Sequence, residues 1–184
     1  LPLGAPYANK NKLWNLRTGV LSRLIQANNY LNSKNNGYSL IVYDTWRPVE
    51  VQHYMFYLAF KIECEKRDLN FKGRTMNSFP DIVKIVEKFW AYPTFSEKTP
   101  PPHSTGAALD ISLVDSSGCL VDMGCEIDEM DTTSKPDFYK NSETKDGKTW
   151  HKRRVLLKGI MCKFGFIQHP NEWWHFSYGD QLWA

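Results

Sequence analysis

Two short segments, far apart in the chain, carry side chains that could bind a metal ion together. Residues 102–110 (Pro-His-Ser-Thr-Gly-Ala-Ala-Leu-Asp) contain His103 and Asp110, and residues 172–175 (Glu-Trp-Trp-His) contain Glu172 and His175. Asp110 has apolar neighbours on both sides in a segment of strand composition, and a carboxylate is costly to bury without a metal or a hydrogen-bond donor. We therefore expect a fold in which the two segments meet.

The four side chains are those that a catalytic zinc site uses. A hydrolytic zinc keeps three protein ligands and one open position for water, and His, Asp and Glu are its usual donors. A further Glu or His must then lie beside that water as general base. We expect His103, Asp110 and His175 to bind one Zn²⁺ per chain and Glu172 to act as the base.

The two segments resemble the signature of the zinc D-Ala-D-Ala dipeptidases and the related D,D-carboxypeptidases. That signature is Ser-x-His-x-x-Gly-x-Ala-x-Asp, followed further along the chain by Glu-x-x-His. The resemblance extends from about residue 18 to the end and includes Tyr-Asp-Thr-Trp-Arg-Pro at 43–48. The matching signature residues are His103, Gly106, Ala108, Asp110, Glu172 and His175.

The resemblance implies a fold and an activity. The fold would be α+β, a small antiparallel sheet that carries the zinc site and is flanked by helices, as in the D,D-peptidases and the Hedgehog signalling domain. The activity would be zinc-dependent hydrolysis of the small dipeptide D-alanyl-D-alanine to free D-alanine. One position departs from the signature, because Pro101 replaces the Ser. Proline lacks the hydroxyl and the N–H, so fine specificity is expected to differ.

Three further residues gain roles from the same resemblance. Arg47 lies at the corner between a predicted strand and the helix that follows it, where a side chain can point into a site. If its guanidinium is buried, it needs a carboxylate or an anionic ligand. A salt bridge to Asp44 would satisfy it, whereas the resemblance implies that Arg47 stabilises an oxyanion. By the resemblance, Asp128 would bind the free amino group of the dipeptide and Trp173 would form a wall of the substrate pocket.

Hydrophobic periodicity and turn residues predict a single domain over residues 18–184, preceded by an extended arm over residues 1–17. Glu172 and His175 would point to opposite faces of an ideal strand, so Glu172 is expected in the turn before the strand or on a bulge. The predicted helices lie at 18–34, from 49 to about 67, from 78 to about 89 and at 150–163. The predicted strands lie at 38–45 and at 110–114, the latter paired with 119–121, and residues 172–178 have strand composition.

Composition excludes some partners. The apolar fraction of 42% and the aromatic fraction of 14% favour a packed globular protein. The net charge of +3 includes no dense basic block, which argues against nucleic-acid binding. No apolar stretch approaches the roughly 18 residues of a membrane span. A homo-oligomer is compatible with these features.

The four cysteines have neither CxxC nor zinc-finger spacing. We expect free thiols in a reducing compartment, with a disulfide between Cys119 and Cys125 as the alternative. A cytoplasmic location is favoured, and a periplasmic or secreted one stays open because the sequence begins without Met.

Three other functions stay open at this stage. A D,D-carboxypeptidase or another murein peptidase would keep the zinc residues but would not need Asp128. A catalytically silent zinc-binding module of Hedgehog type would have no use for Glu172 and Arg47. A metal-free polar core would require two His and two acids to match the motif spacing by accident.

Overall fold

The computed structural model describes residues 14–34 and 37–184, and within these ranges the chain forms four α-helices and a four-stranded antiparallel sheet. The strand order is β1-β2-β4-β3. The predicted α+β fold is thereby confirmed. The helices are α1 (Thr18–Ser33), α2 (Val49–Glu65), α3 (Pro80–Val86) and α4 (Lys145–Lys163), and the strands are β1 (Tyr38–Asp44), β2 (Ala108–Asp115), β3 (Ile167–Gln168) and β4 (His175–Ser177).

The central strand β2 separates an apolar face of the sheet from a polar one. Leu109, Ile111 and Leu113 alternate along β2 and belong to the main hydrophobic core. Because successive side chains of a strand point to opposite faces, Asp110 and Ser112 face the other way, and both are buried. An acid is thereby held inside the protein by a strand whose opposite face is anchored in the core.

The strand register brings three polar residues into one row. Asp110 is paired with His175 across β2 and β4, and with Asp44 across β2 and β1 after a register shift between Val42 and Asp44. Residues directly opposite each other in antiparallel strands project to the same face. Asp44 on β1 and His175 on β4 therefore project to the same face of the sheet as Asp110.

The helices form two groups, of which one packs on the sheet. Helices α1 and α4 contact each other and cover the apolar face, where α1 contributes Val20, Leu24, Ala27 and Leu31. Helices α2 and α3 form a second hydrophobic cluster around Phe56, Phe60, Val86 and Trp90. None of the helices in the described ranges is both long and apolar enough to cross a bilayer.

The first turns of α4 were missed by the sequence analysis. The helix begins at Lys145 rather than at Trp150, with the Thr144 hydroxyl accepting a hydrogen bond from Gly147 N at 3.1 Å. Its opening residues are polar and therefore carry no hydrophobic periodicity. The contact of α4 with the Asp122–Gly124 loop begins at Trp150, whose Nε1 donates to Asp122.

The predicted N-terminal arm lies mostly outside the described residues, which begin at residue 14. Its last residue, Arg17, donates from its backbone N–H to Gly106 O and from Nε to Thr105 O, each at 2.9 Å. The start of α1 is thereby attached to the turn that follows His103.

All four cysteines are free. The expected free thiols are confirmed, and the alternative disulfide between Cys119 and Cys125 is not formed.

Candidate active site

His103, Asp110 and His175 form a buried cluster with the geometry of a metal site. One donor atom from each residue lies within 4.8 Å of the other two. His103 Nε2 is 3.1 Å from His175 Nδ1 and 3.3 Å from Asp110 Oδ2, and His175 Nδ1 is 3.2 Å from Asp110 Oδ1. Ligand atoms about 2.0–2.2 Å from a tetrahedral zinc lie about 3.3–3.6 Å from one another. The three residues therefore fit a zinc ion with little rearrangement.

The surroundings of the two imidazoles turn one ring nitrogen of each into the cluster. His103 Nδ1 is 2.8 Å from the carbonyl oxygen of Thr45. A carbonyl can only accept, so Nδ1 carries a proton and Nε2 is the nitrogen that faces the cluster. On the other ring, Ser177 Oγ is 3.3 Å from His175 Nε2, which leaves Nδ1 facing the cluster.

A short turn places His103. The residues His103–Thr105 form a single 3₁₀ turn that ends at Gly106, where φ is +70°. Only glycine adopts this left-handed conformation without cost, and it allows the chain to enter β2 at once. The signature glycine therefore links the first ligand to the strand of the second.

Asp110 is buried and depends on positive neighbours. Its Oδ1 accepts no hydrogen bond from the rest of the described chain. Burial acts to raise the pKa of Asp110, but the adjacent imidazoles of His103 and His175 hold it well below its ordinary value. The carboxylate form, which a metal requires, is thereby favoured.

Glu172 lies beside the cluster, in the turn that precedes β4. Its Oε2 is 3.7 Å from His175 Nδ1 and 3.8 Å from His169 Nδ1. The expected position in the turn before the strand is confirmed, because β4 begins only at His175. Burial, with the nearby charges of Asp110 and Asp128, raises the pKa of Glu172 well above its ordinary value. Such a carboxylate is a stronger base than an exposed one.

Arg47 is buried between a salt bridge and the cluster. Its Nη2 is 2.6 Å from Asp44 Oδ2 and 3.5 Å from Asp110 Oδ2, and its Nε donates to Asp44 at 2.8 Å. Its Nη1 donates to Gln52 Oε1 at 2.8 Å. The salt bridge expected from the sequence is present, and the same guanidinium also reaches the edge of the metal cluster.

Asp128 lies at the mouth of the same cavity. The residue is solvent-exposed, yet its carboxylate is crowded by protein atoms and faces Asp110, which together raise its pKa to about 6. Its backbone φ is +67°, a left-handed conformation that few non-glycine residues adopt. The loop geometry rather than a strand or helix directs this side chain.

Trp173 requires a correction, because the structure places its side chain outside this cavity. Trp174 lines the cavity, while Trp173 lines a second cavity and donates from Nε1 to Cys125 Sγ at 3.3 Å. The two rings are perpendicular, with centroids 5.5 Å apart. Of the two tryptophans, Trp174 therefore faces the metal cluster and Trp173 faces away from it.

The cavity carries an excess of negative charge. Four acids line it, and within the described residues Arg47 is the only Lys or Arg among its lining side chains. That guanidinium is already paired with Asp44. The arrangement favours cations, which suits both a metal ion and an ammonium group. The lining acids are Asp110, Asp128, Glu129 and Glu172.

Several residues of the cavity were not assigned to it by the sequence analysis. Gln52 bridges Arg47 and the Ala91 carbonyl, to which its Nε2 donates at 2.7 Å. His169 has its ring centroid 5.5 Å from that of His175, and burial together with His175 lowers its pKa to about 4. No local motif marks Gln52. For His169 the only indication in the sequence was that it lies three residues before Glu172.

A buried His-Asp-His cluster with an adjacent carboxylate of raised pKa and a buried arginine defines a zinc metallopeptidase centre. Comparison with known proteins agrees with this class. The family profile described as Peptidase_M15, D-Ala-D-Ala dipeptidase, matches residues 5–184, and the chain belongs to this family.

Named relatives support the assignment. The chain is 43% identical over 188 residues to a D-alanyl-D-alanine dipeptidase of Synechocystis sp., and the match covers 99% of this chain and 76% of that protein. It is 28% identical over 142 residues to a D-alanyl-D-alanine dipeptidase of Escherichia coli, covering 77% of this chain and 56% of that protein.

Solved structures share the fold. VanYB in complex with D-alanine-D-alanine aligns with a TM-score of 0.52 at 18% identity, covering 89% of this chain and 71% of that one. A vancomycin-resistance D,D-pentapeptidase VanY in complex with Zn(II) aligns with a TM-score of 0.50 at 19% identity, covering 89% and 72%. At these identities the likeness concerns the fold alone.

Proposed function

We propose that this protein hydrolyses the dipeptide D-alanyl-D-alanine to two molecules of D-alanine, with one zinc ion per chain. The main support is the buried cluster of His103, Asp110 and His175, with Glu172 Oε2 only 3.7 Å from the His175 donor nitrogen. Family membership and the dipeptidase relatives supply the substrate class.

The zinc ion would be held by His103 Nε2, His175 Nδ1 and the Asp110 carboxylate, which already lie close together. When bound, zinc polarises a carbonyl oxygen and lowers the pKa of water. The protein fixes these three donors beforehand, through the Thr45 carbonyl on one imidazole and the β2–β4 pairing for the other two. Such preorganisation reduces the rearrangement that metal binding would require.

Glu172 would act as general base and then as general acid. Its carboxylate accepts a proton from the attacking water at Oε2 and donates it to the nitrogen of the departing D-alanine. A carboxyl group performs both transfers best when its pKa lies near the working pH, above its ordinary value. Burial raises the pKa of Glu172 in the metal-free protein, which supports this role.

Arg47 would stabilise the negative charge that develops on the carbonyl oxygen of the scissile bond. Asp44 and Gln52 fix the guanidinium from behind, so the group does not need to reorganise during the reaction. Removal of one such donor typically costs about 3 kcal/mol of transition-state stabilisation.

Asp128 would bind the free ammonium group of the dipeptide. The excess of acids in the cavity favours a cationic group there. A carboxylate paired with an ammonium gains a charge-assisted hydrogen bond that an acylated nitrogen cannot offer. Selection of the unblocked dipeptide over longer or acylated peptides would follow from this pairing.

Release of D-alanine from D-Ala-D-Ala and from N-acetyl-D-Ala-D-Ala, with and without a zinc chelator, tests the proposal. We expect chelator-sensitive cleavage of the free dipeptide and little cleavage of the acetylated one. Cleavage of the acetylated substrate would instead assign the protein to the D,D-carboxypeptidases. Zinc binding without cleavage of either substrate would favour a silent module of Hedgehog type.

The oligomeric state and the location in the cell are two further expectations, and each has its own test. A homo-oligomer would be detected as a mass above 21.4 kDa in light scattering of the purified protein. A cytoplasmic location would be detected by fractionation of the source cells, and recovery in an extracytoplasmic fraction would contradict it.

A further inference from the structure

The segment that carries Asp128 has little regular structure of its own. Between β2 and α4 the described backbone of residues 123–135 contains a single 3₁₀ turn, Thr132–Ser134. At the middle of this segment Asp128 is held at a φ of +67°. A non-glycine residue keeps such a conformation only where its surroundings fix it.

Arg154 contacts both ends of this segment from the middle of α4. At the first end, Nε donates to Met123 O at 2.8 Å and Nη2 donates to Cys125 Sγ at 3.3 Å. At the other end, Nη1 donates to Thr133 O at 2.7 Å and to Lys135 O at 2.9 Å. One planar group thus joins two stretches of backbone on either side of Asp128.

The burial of Arg154 is unusual for an arginine without an acidic partner. The residue is 1% exposed, and no ion pair joins it to a carboxylate within the described residues. Two aromatic rings flank the guanidinium, with its carbon atom 4.8 Å from the centroid of Tyr139 and 5.3 Å from that of Trp173. A buried guanidinium whose acceptors are mainly loop carbonyls fixes the position of that loop.

The same contacts connect the segment to the catalytic side of the site. Trp173, which stacks on Arg154, follows Glu172 directly and donates from its backbone N–H to Ser134 O at 2.9 Å. Its indole N–H donates to Cys125 Sγ, the acceptor that Arg154 also uses. Both ends of the segment are therefore hydrogen-bonded to Trp173, the residue that follows Glu172.

We propose that Arg154 is a positioning residue for substrate specificity, which holds segment 123–135 so that Asp128 faces the amino group of the dipeptide. The proposal rests on the proposed function for the role of Asp128. Arg154 touches neither the metal cluster nor the lining of the cavity, so its effect would pass through the groups that it contacts, which are the segment and Trp173.

The Arg154→Lys variant tests the proposal, because lysine keeps the charge but cannot bridge the two ends. We expect KM for D-Ala-D-Ala to rise roughly 10- to 100-fold, as for a misplaced binding group, with kcat within about threefold and zinc content unchanged. Arg153→Lys is the matched control, since Arg153 donates to Asp122 O just outside the segment. That control should leave KM unchanged.

A double-mutant cycle separates positioning from a general structural defect. In an Asp128→Asn background, Arg154→Lys should cause no further rise in KM. An equal rise in both backgrounds, or an unchanged KM in the single variant, would overturn the proposal. If Arg154→Lys does not fold, Tyr139→Phe replaces it, because the Tyr139 hydroxyl donates to Gly124 O at 2.7 Å at the same end of the segment.

Hydrogen exchange distinguishes failure of this proposal from failure of the proposed function. Arg154→Lys should accelerate amide exchange in residues 123–135 and leave α1 and β2 unchanged. Exchange that rises throughout the protein, or nowhere, would contradict the positioning role. If the wild-type protein does not cleave D-Ala-D-Ala, the dipeptidase proposal fails, and this exchange pattern alone decides whether Arg154 holds the segment.

Discussion

Asp110 and His175 are direct cross-strand partners, and their donor atoms Oδ1 and Nδ1 lie 3.2 Å apart. Two of the proposed ligands are thereby positioned by the hydrogen-bonded ladder of the sheet rather than by loops. The third ligand, His103, is positioned by the turn that enters the same strand β2. The whole donor set thus depends on one strand and its neighbours.

Glu172→Gln should retain zinc and lose activity. The amide keeps the size of the side chain but cannot accept the proton, so we expect kcat to fall about 100- to 10,000-fold. Steady-state kinetics with zinc analysis of the same sample provide the measurement. Glu143→Gln, which changes an exposed acid outside the cavity, is the matched control and should stay near wild type. Preserved turnover in Glu172→Gln would remove this residue from the mechanism.

His103→Ala should lose the metal. Two donors remain, fewer than the three protein ligands of a catalytic zinc site, so the purified variant should contain much less than one zinc per chain. His53→Ala, which replaces an exposed imidazole on α2, should stay fully loaded. Stoichiometric zinc in His103→Ala after dialysis would show that the ligand set is assigned wrongly.

Ser177→Ala should weaken zinc binding without abolishing it. The hydroxyl lies 3.3 Å from His175 Nε2 and orients the ring whose other nitrogen faces the cluster. Loss of such an outer partner typically lowers metal affinity about 10- to 100-fold. Competition with a chelator of known affinity measures the change. An unaltered zinc affinity would mean that β4 alone fixes the ring.

Arg47→Lys should reduce kcat with zinc retained. Lysine preserves the positive charge beside Asp44 but cannot contact Asp44 and Gln52 while also facing the cluster, so we expect a loss of about 100- to 1,000-fold. Arg67→Lys, in an ion pair with Glu63 at the other end of α2, is the control for charge and stability. Near-normal kcat in Arg47→Lys would argue that the arginine serves the fold alone.

The proposed ligands His103, Asp110 and His175 were indicated by the two signature segments, and the local structure around the first two followed from residue type. The turn at Gly106 and the alternation along β2 follow from residue type, and they bring His103 and Asp110 together. The position of Glu172 also followed, since strand parity excluded it from β4. These inferences concern neighbours in the chain, for which periodicity and turn chemistry are sufficient.

The partners of the site could not be predicted in the same way. Trp173 and Trp174 are identical in type, and which of them faces the cavity depends on Cys125 and Arg154, which are distant in sequence. Gln52 and Arg154 act through carbonyl groups of remote loops, for which the sequence carries no pattern. Hydrogen bonds from polar side chains to the backbone of distant loops can be identified only once the fold is known.

The carboxyl group of Asp128 should titrate near pH 6 in the metal-free protein and at a lower pH once zinc is bound. Crowding by the protein and the charge of Asp110 disfavour its ionised form, which raises the pKa to about 6. A nearby divalent cation favours the carboxylate, so zinc should lower that pKa. The ionised form that binds an ammonium group would then predominate at neutral pH. Carbon NMR of protein labelled at the aspartate carboxyl groups, with Asp128→Asn for assignment, follows the titration with and without zinc. An ordinary pKa in the metal-free protein, or no change on adding zinc, would place Asp128 too far from the cluster for its proposed role.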